Sequence, residues 1–327
     1  AEPANPFIID DSVAKFPEQV FDAIPATFQE APMLAEKVAA GELPPVAERL
    51  PKEPMVLKPS EQIGVYGGTL NGAFTGPADH QNAERMLKNH MLFWDTGMTT
   101  VQPHIAKAVE ANADNTEFTF HLREGMKWSD GAPFTADDIM FWYEDILLND
   151  DLVPAKQGWT KAGGEIGRWE KIDDYSYKVT FKQPYGTFLE LIAGLTVNGH
   201  YAQLDPCSGG FSPKHYMQQF HAKYAGLEAV EAMAKEKGFD NWAKYFCFMN
   251  DPNLNPESPV TTAWMPTTSF ADQQVILERN PYYWAVDTEG NQLPYLDKIV
   301  LTLAENLEVL NLKAIAGEYD MQARHID

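Results

Sequence analysis

The stretch LREGMKWSDGAPFTADDI, residues 122–139, decides how this chain folds. Asp130-Gly131 favours a tight turn, because an Asp side chain bonds to its own backbone and Gly tolerates positive φ. Thr135 lies three residues before Asp138, a spacing at which the Thr hydroxyl caps a helix and the carboxylate favours the helix dipole. The stretch therefore predicts a turn followed by a capped helix.

The residues on either side complete the unit. Phe118, Phe120 and Leu122 alternate with polar residues, which is the period of a strand with one buried face. Behind the cap, an apolar run predicts a helix buried against a sheet; it comprises Ile139, Phe141, Trp142, Ile146 and Leu147. The sequence therefore predicts strand, turn and capped helix in succession.

This unit closely resembles a hallmark of the extracellular solute-binding proteins of family 5, which serve bacterial ABC importers. In that family a strand ending in a pattern like LREGVKWSDG is followed by PFTADDV and a helix; here Met126 and Ile139 occupy the variable apolar positions. PKHYMQQFHAKYA (213–225) and VILERNPYYWAVDTEGNQLPYLDKIVLTL (275–303) resemble two further family segments. The resemblance covers most of the chain from about residue 30.

The resemblance implies an α/β, periplasmic-binding-protein-like fold of type II, with two lobes and an extra subdomain. This chain would supply mainly lobe I, a mixed sheet flanked by helices. We expect a Pro-rich lead-in packed on lobe I (1–60), the lobe I core (61–84 and 183–297), an inserted α/β subdomain (85–182) and the start of lobe II (298–327), the rest of lobe II being absent.

Local patterns add four more expectations. Residues 84–95 and 213–225 have helical spacing, and 227–244 should continue as a helix to Trp242. AGEYDMQ (316–322) matches a family strand.

Composition limits the classes of partner. The chain has 47 acidic and 25 basic residues, a formal net charge of −22. Nucleic acids and anionic membrane surfaces both need a basic footprint, so neither is expected as a partner. No apolar run reaches the roughly 18 residues of a membrane-spanning helix.

The N-terminal residues AEPANPF lack the basic and apolar regions of a signal peptide. Together with the resemblance, they favour a mature periplasmic chain whose signal peptide has been removed. The residues alone fit a cytosolic start equally well.

Two cysteines, Cys207 and Cys247, leave two readings open. In an oxidising compartment they could form a disulfide that stabilises the fold by roughly 3–4 kcal/mol in the chain-entropy estimate. The alternative is two unrelated free thiols. Without paired CxxC spacing, a zinc site is not expected.

The usual catalytic patterns are absent from the sequence: no GxSxG, GxxxxGK[ST], HExxH or GxGxxG motif occurs. His215 and His221 are six residues apart, which does not suit a metal site on one helix face, and packing explains them better. The other histidines considered are scattered, and we interpret them as surface or core residues; they are His80, His90, His104 and His121. The sequence therefore predicts no enzyme, no catalytic residue, no metal and no cofactor.

Binding explains the 12% aromatic content better, because a cleft for sugars or peptides needs flat apolar faces with polar edges. The candidate ligand-binding residues are Phe74 and Asp79 in the loop after the first lobe I strand, Trp94, and Trp264. For each of them the alternative is a role in the core.

The resemblance implies the substrate-binding component of an ABC importer, which captures an oligopeptide-like solute and delivers it to permease subunits in the inner membrane. An oligosaccharide, for example an α-galactoside, or an opine is the alternative, since relatives with a long Pro-rich lead-in include oligosaccharide binders. A hydrolase or a periplasmic scaffold is the competing class. We expect a monomer that works by closure of two lobes on the solute.

Overall fold

The computed structural model describes residues 18–20, 23–77, 79, 87, 89–95, 97–194, 199–200, 207, 209–322 and 324–326. Its strands are β1 (Glu18–Val20), β2 (Met55–Lys58), β3 (Thr69–Phe74), β4 (Leu92–Trp94), β5 (Val101–Pro103), β6 (Ala106–Ala111), β7 (Glu117–Leu122), β8 (Lys161–Ala162), β9 (Glu165–Ile166), β10 (Arg168–Asp173), β11 (Ser176–Thr180), β12 (Trp264–Pro266), β13 (Gln274–Arg279), β14 (Ala285–Asp287) and β15 (Lys298–Leu303).

The helices are α1 (Pro32–Ala39), α2 (Val46–Arg49), α3 (Ala136–Phe141), α4 (Phe188–Ile192), α5 (Lys214–Met217), α6 (Ala222–Ala225), α7 (Leu227–Glu236), α8 (Trp242–Asn250) and α9 (Leu307–Ile315). A π-helical turn covers Trp142–Leu147, and 3-10 turns cover Gly158–Thr160 and Gln218–Phe220. None of the helices in the described ranges is long and apolar enough to cross a membrane.

The 122–139 stretch folds as predicted. β7 ends at Leu122, and after the turn at Gly131 the α3 helix begins behind Thr135. The Thr135 N–H donates to the Asp138 carboxylate at 2.9 Å, and the Asp137 N–H donates to the Thr135 hydroxyl at 3.3 Å. This reciprocal cap satisfies backbone donors that the first helical turn leaves free. The predicted strand, turn and capped helix are confirmed.

An antiparallel sheet in the order β10-β11-β7-β6 forms the centre of the subdomain. Its buried face is aromatic: the rings of Phe120 and Tyr177 stack at 4.9 Å, and Phe188 from α4 packs against Phe118 at 4.9 Å. On the helical side, Trp142 stacks on Trp159 at 5.5 Å. The same core continues into α5–α8, so this sheet and those helices share one apolar interior.

A second sheet has the order β12-β13-β15-β3. β15 lies parallel to β3 and antiparallel to β13. The resemblance places residue 298 at the start of lobe II, but this pairing puts β15 between two strands that are predicted for the lobe I core. β15 therefore belongs to the same sheet as β3 and β13, and the domain boundaries stay predictions.

The Pro-rich lead-in is anchored by a strand and an arginine. β2 pairs in parallel with β14 and antiparallel with β1. The wholly buried side chain of Arg49 forms an ion pair with Glu30 and hydrogen bonds with the Pro281 carbonyl and the Gln292 side chain. These contacts join the first 60 residues to the segment between β13 and β15.

The helices after residue 213 are shorter than expected. A 3-10 turn separates α5 from α6, and α7 ends at Glu236 instead of continuing to Trp242. Gly238 adopts a φ of +83°, which ends regular helix, and Asn241 then caps α8 by accepting the Lys244 N–H at 2.9 Å. The prediction of a continuous helix over 227–244 is therefore wrong.

Two further local predictions are corrected. The spacing in 84–95 predicts a helix, but Leu92–Trp94 form strand β4, paired with β5; residues 84–86 and 88 lie outside the described residues. Residues 316–322 do not form a strand: Gly317 turns the chain, and the Asp320 N–H donates to the Asn71 carbonyl at 2.9 Å.

Cys207 and Cys247 are joined by a disulfide, with their Cα atoms 5.3 Å apart. Cys247 lies in α8, so the bond fixes Cys207 to that helix. Of the two readings that the sequence left open, the structure has the disulfide.

Candidate functional site

The carboxyl ends of β3 and β15 lie at the same edge of their sheet, because the two strands are parallel. In open α/β sheets, ligands bind outside the carboxyl ends of the strands, where loops offer backbone and side-chain groups. The loop that follows β3 carries Thr75, Gly76 and Asp79, and α9 follows β15. This end of the sheet, at the carboxyl ends of β3 and β15, is the candidate site.

Asp79 organises the loop after β3. Its carboxylate accepts the backbone N–H and the hydroxyl of Thr75, both at 3.0 Å, although only 6% of the residue is exposed. It also forms ion pairs with Arg324 (3.5 Å) and His325 (3.2 Å). The carboxylate is therefore engaged inside the protein, and a contact between Asp79 and a ligand stays a prediction.

The outer edge of β3 is covered by side chains. The Asn71 N–H donates to the Asp320 carboxylate at 2.8 Å, and the Ala73 N–H donates to the side-chain oxygen of Gln322 at 2.9 Å. With the Thr75 N–H bound to Asp79, three alternate backbone donors of the strand and its extension are satisfied by side-chain oxygens. Residues 320–322 are thus fixed along β3 by side chains and by the bond from the Asp320 N–H to the Asn71 carbonyl.

Phe74 is a core residue. Its side chain has no exposed surface and packs edge-to-face against Phe270 at 5.7 Å. The ring belongs to the apolar cluster under the β12-β13-β15-β3 sheet. Because no face of the ring is accessible, Phe74 cannot stack on a ligand, and the expectation that it binds one is not supported.

Trp264 lies at the opposite end of the same sheet. It starts β12 and, through β13 and β15, lies level with the start of β3, roughly 20 Å along the strand direction from Phe74 at ~3.3 Å per residue. The ring is half-buried against the apolar cluster, and its indole N–H has no hydrogen-bond acceptor among the described residues. Trp264 and Asp79 are therefore not brought together.

Trp94 lies in a different part of the fold. It ends β4 opposite Val101 and packs, half-buried, on the core of the subdomain. The hairpin tip beyond it is held by Asp95, which accepts the Thr99 N–H at 2.6 Å, and it presents Met98 with 75% of its surface exposed. No contact joins Trp94 to the other candidates within the described ranges.

Two of the histidines named in the sequence analysis, His215 and His221, have structural partners. His215 bonds to Asp130 at 2.7 Å, across the turn of the hallmark stretch. His221 donates from Nε2 to the Asp145 carbonyl (2.9 Å) and accepts the Lys223 N–H on Nδ1 (3.1 Å), and burial lowers its pKa. His80 lies outside the described residues. In the described part of the chain, no group of three or more His, Cys, Asp or Glu side chains is arranged to hold a metal ion.

The sequence did not predict that the side chains of Asp320 and Gln322 would accept backbone N–H groups along the unpaired side of β3. The residues concerned are polar and lie about 250 positions after β3, so no local pattern connects them. Only a parallel pairing of β3 with β15, followed by the return of the chain after α9, brings them together.

Comparison with known proteins identifies the relatives. Residues 100–326 match the family model described as "Bacterial extracellular solute-binding proteins, family 5 Middle". A "Periplasmic alpha-galactoside-binding protein" of Rhizobium meliloti (strain 1021) is 34% identical, over 90% of this chain and 42% of that protein. A "Periplasmic oligopeptide-binding protein OppA" of Salmonella typhimurium is 25% identical, over 69% of this chain and 38% of that protein.

Two solved structures are also similar. One, named "oligopeptide-binding protein OppA", is 42% identical with a TM-score of 0.83, covering 91% of this chain and 45% of its own. The other is the periplasmic binding protein MelB from Agrobacterium fabrum C58 in complex with stachyose; it is 30% identical with a TM-score of 0.72, covering 94% of this chain and 44% of its own. The chain thus spans less than half the length of each of these relatives.

Proposed function

The chain belongs to the bacterial extracellular solute-binding proteins of family 5, and we propose that it is part of the substrate-binding component of an ABC importer. Its fold is that of a periplasmic binding protein, a mixed α/β structure with sheets flanked by helices. The observation that carries the proposal is the match to a periplasmic solute-binding protein over 90% of this chain. The protein would work in the periplasm and deliver its solute to permease subunits in the inner membrane.

The proposed mechanism is closure of two lobes around the solute. The carboxyl ends of β3 and β15 would supply one wall of the cleft, and Thr75 and Asp79 would present polar groups there. Because the relatives are more than twice as long as the part they share with this chain, the opposite wall would come from the rest of the protein. Solute favours the closed state only by its higher affinity for that state.

An oligosaccharide of the α-galactoside class is the solute we would test first. The curated relative that covers 90% of the chain is named for α-galactosides, and a solved relative that covers 94% holds stachyose. An oligopeptide, which the sequence analysis placed first, is the second candidate. It is supported by the solved structure named for oligopeptides, which is 42% identical.

Trp94 and Trp264 stay proposed contacts for either solute, although neither lies at the carboxyl ends of β3 and β15. Trp94 and Trp264 keep part of their rings accessible, and flat rings stack on sugar faces or peptide side chains. Asp79 stays a proposed polar contact, and it also holds the loop after β3. We propose no catalytic residue, metal or cofactor, since the relatives are solute-binding proteins.

The remaining parts of the proposal concern partners. The formal charge of −22 disfavours nucleic acid, and we propose a monomer. Size-exclusion chromatography with light scattering tests the oligomeric state, and a mass of twice the chain or more would contradict the proposed monomer.

Isothermal titration of the full-length gene product tests the proposal. Stachyose and raffinose are titrated in parallel with a tripeptide and a pentapeptide, and a linear α-glucoside of similar size serves as the sugar control. Binding of the α-galactosides alone supports the first solute, and binding of the peptides alone supports the second. A protein that is folded by circular dichroism and binds none of these would overturn the proposed solutes, and turnover of any of them would contradict the binding role.

A further inference from the structure

A cavity of about 300 Å³ lies between the Pro-rich lead-in and strand β6 of the subdomain. Its walls combine apolar side chains from the lead-in with charged side chains at one end; they include Val20, Ile24, Met55, Glu53, Lys107 and Arg123. It involves neither the carboxyl ends of β3 and β15 nor either candidate tryptophan. The cavity is therefore separate from the proposed solute site.

Arg123 is the polar group that distinguishes this cavity. Only 4% of the residue is exposed. Its Nε donates to the His104 carbonyl at 3.0 Å and its Nη1 to the Glu53 carbonyl at 2.9 Å. Its guanidinium carbon lies 5.3 Å from the centre of the Trp284 ring. Among the described residues nothing accepts a hydrogen bond from Nη2, and the side chain lines the cavity.

Within the described residues, the Arg123 guanidinium forms no ion pair. The carboxylate of Glu53 attracts its charge but forms an ion pair with Lys107 instead. Both groups that bond to Arg123 are neutral carbonyls. Burial lowers the pKa of Arg123 to about 10, which reflects a charge removed from water without full compensation. A buried cation in this situation is costly unless an anion binds to it.

The other two buried arginines of the described chain provide an internal comparison. Arg49 has the carboxylate of Glu30, and Arg279 has the carboxylate of Asp297 at 2.6 Å. The fold therefore pairs its buried guanidinium groups with carboxylates, and Arg123 is the exception. It is also the one of the three that lines this cavity.

We propose that this cavity binds a small aliphatic carboxylate, whose carboxyl group pairs with the free edge of the Arg123 guanidinium. A guanidinium is the side chain best suited to a carboxylate, because it offers parallel N–H donors and keeps its charge. The alkyl part of the ligand would lie against Val20, Ile24 and Met55. A volume near 300 Å³ is at the small end of ligand sites, which suits a molecule of a few carbon atoms.

The first experiment measures the denaturation midpoint of the full-length protein with rising butyrate, at constant ionic strength. Butyramide, which has the same shape without the charge, is the matched ligand control, and chloride and phosphate are the anion controls. The midpoint should rise and saturate with butyrate and stay constant with the three controls. An equal response to butyrate and butyramide, or to butyrate and phosphate, would overturn the proposal, as would no response to butyrate.

A designed carboxylate provides the second test and leaves the buried Arg123 and its bonds to His104 and Glu53 intact. Ala108 lines the cavity from β6. Ala108→Glu adds a carboxylate to the wall of the cavity that Arg123 also lines, and Ala108→Gln has nearly the same size without charge. The Glu variant should have the higher midpoint at pH 7 and should no longer respond to butyrate. A Glu variant that is no more stable than the Gln variant, or that still responds to butyrate, would contradict the site.

Discussion

The side-chain oxygen of Gln322 accepts the backbone N–H of Ala73 at 2.9 Å, across a separation of 249 residues. The amide nitrogen of the same side chain donates to the Arg324 carbonyl at 2.9 Å. The Gln322 side chain thus accepts a backbone N–H that a neighbouring strand would otherwise accept. It also holds the segment after α9 beside β3. Since β3 leads into the candidate site, the position of the site loop depends on residues 320–325.

Gln322→Ala should lower the free energy of unfolding by about 1–3 kcal/mol, because it removes the side-chain oxygen that accepts the N–H of the fully buried Ala73. Gln322→Glu is the matched control: it keeps the acceptor but cannot donate to Arg324, so its loss should be smaller. Urea denaturation monitored by Trp fluorescence gives both values. Equal stability of the Ala variant and the natural protein would show that water accepts the Ala73 N–H in place of Gln322.

Asp79→Ala should destabilise the protein by about 2–3 kcal/mol, because the Thr75 hydroxyl and N–H lose their acceptor and Arg324 loses the nearby carboxylate. Asp79→Asn keeps one oxygen for Thr75 and loses only the charge, so it should cost less. If Asp79 positions the loop, both variants should also weaken solute binding, in proportion to the loss of stability. Weakened binding by Asp79→Asn with unchanged stability would instead indicate a direct contact with solute.

Arg49→Met should cost about 3–5 kcal/mol of unfolding free energy, because it leaves the carboxylate of Glu30 without its buried partner. The exposed pair of Lys52 and Glu124 is the comparison, and Lys52→Met should change the stability little, because water screens that pair. Denaturant titrations of the two variants are directly comparable. A small effect of Arg49→Met would mean that the lead-in is held mainly by the pairing of β2 with β14.

The pH dependence of stability should include a contribution from His200. Burial lowers the pKa of His200 to about 4, although its ring bonds to Asn250 at 3.2 Å. Below the unfolded-state pKa of about 6.5, the unfolded chain gains a proton that the folded protein does not accept. The stabilisation is therefore present at neutral pH and lost as the pH falls, by about 3 kcal/mol between pH 6.5 and 4.

Unfolding free energies of the natural protein and of His200→Gln, measured from pH 7 to pH 4, isolate this contribution. The natural protein should lose its advantage over the variant as the pH falls. Asp138 acts in the opposite direction, because burial raises its pKa to about 6, but this contribution is common to both proteins and cancels in the difference. Ser212→Ala, which removes the 2.7 Å bond to Asn250 and no titrating group, should show a constant deficit. A constant deficit for His200→Gln as well would exclude the histidine as the cause.

Trp94→Ala and Phe74→Leu should separate binding from packing. We expect Trp94→Ala to weaken solute binding about tenfold, which is ~1.4 kcal/mol, because an accessible aromatic face is lost. Phe74→Leu should lower stability, since the ring is wholly buried, and leave the affinity of the folded protein unchanged. Titration calorimetry and denaturation of both variants give the two quantities. The assignment of Trp94 is wrong if its variant binds the solute as tightly as the natural protein.

The sequence predicted most accurately where the physical cause is local. The alternation in β7, the turn at Asp130-Gly131 and the cap at Thr135 depend on neighbours within a few residues, and all three form as expected. The predicted helix over 84–95 was wrong in its described part, since an apolar run such as 91–94 suits a helix face or a short strand equally. The pairing of β4 with β5 decided between them.

For the site, the sequence by itself determined the residue types and the family, but not their neighbours. Nothing near Phe74 or Asp79 in the chain reveals that one ring is covered by Phe270 or that one carboxylate meets Arg324 and His325. Burial and partnership are set by contacts between segments far apart in the sequence, and these exist only after β3, β13 and β15 have paired. The sequence therefore determined the local elements and the kind of protein, whereas the tertiary structure alone decided which candidates are accessible to a solute.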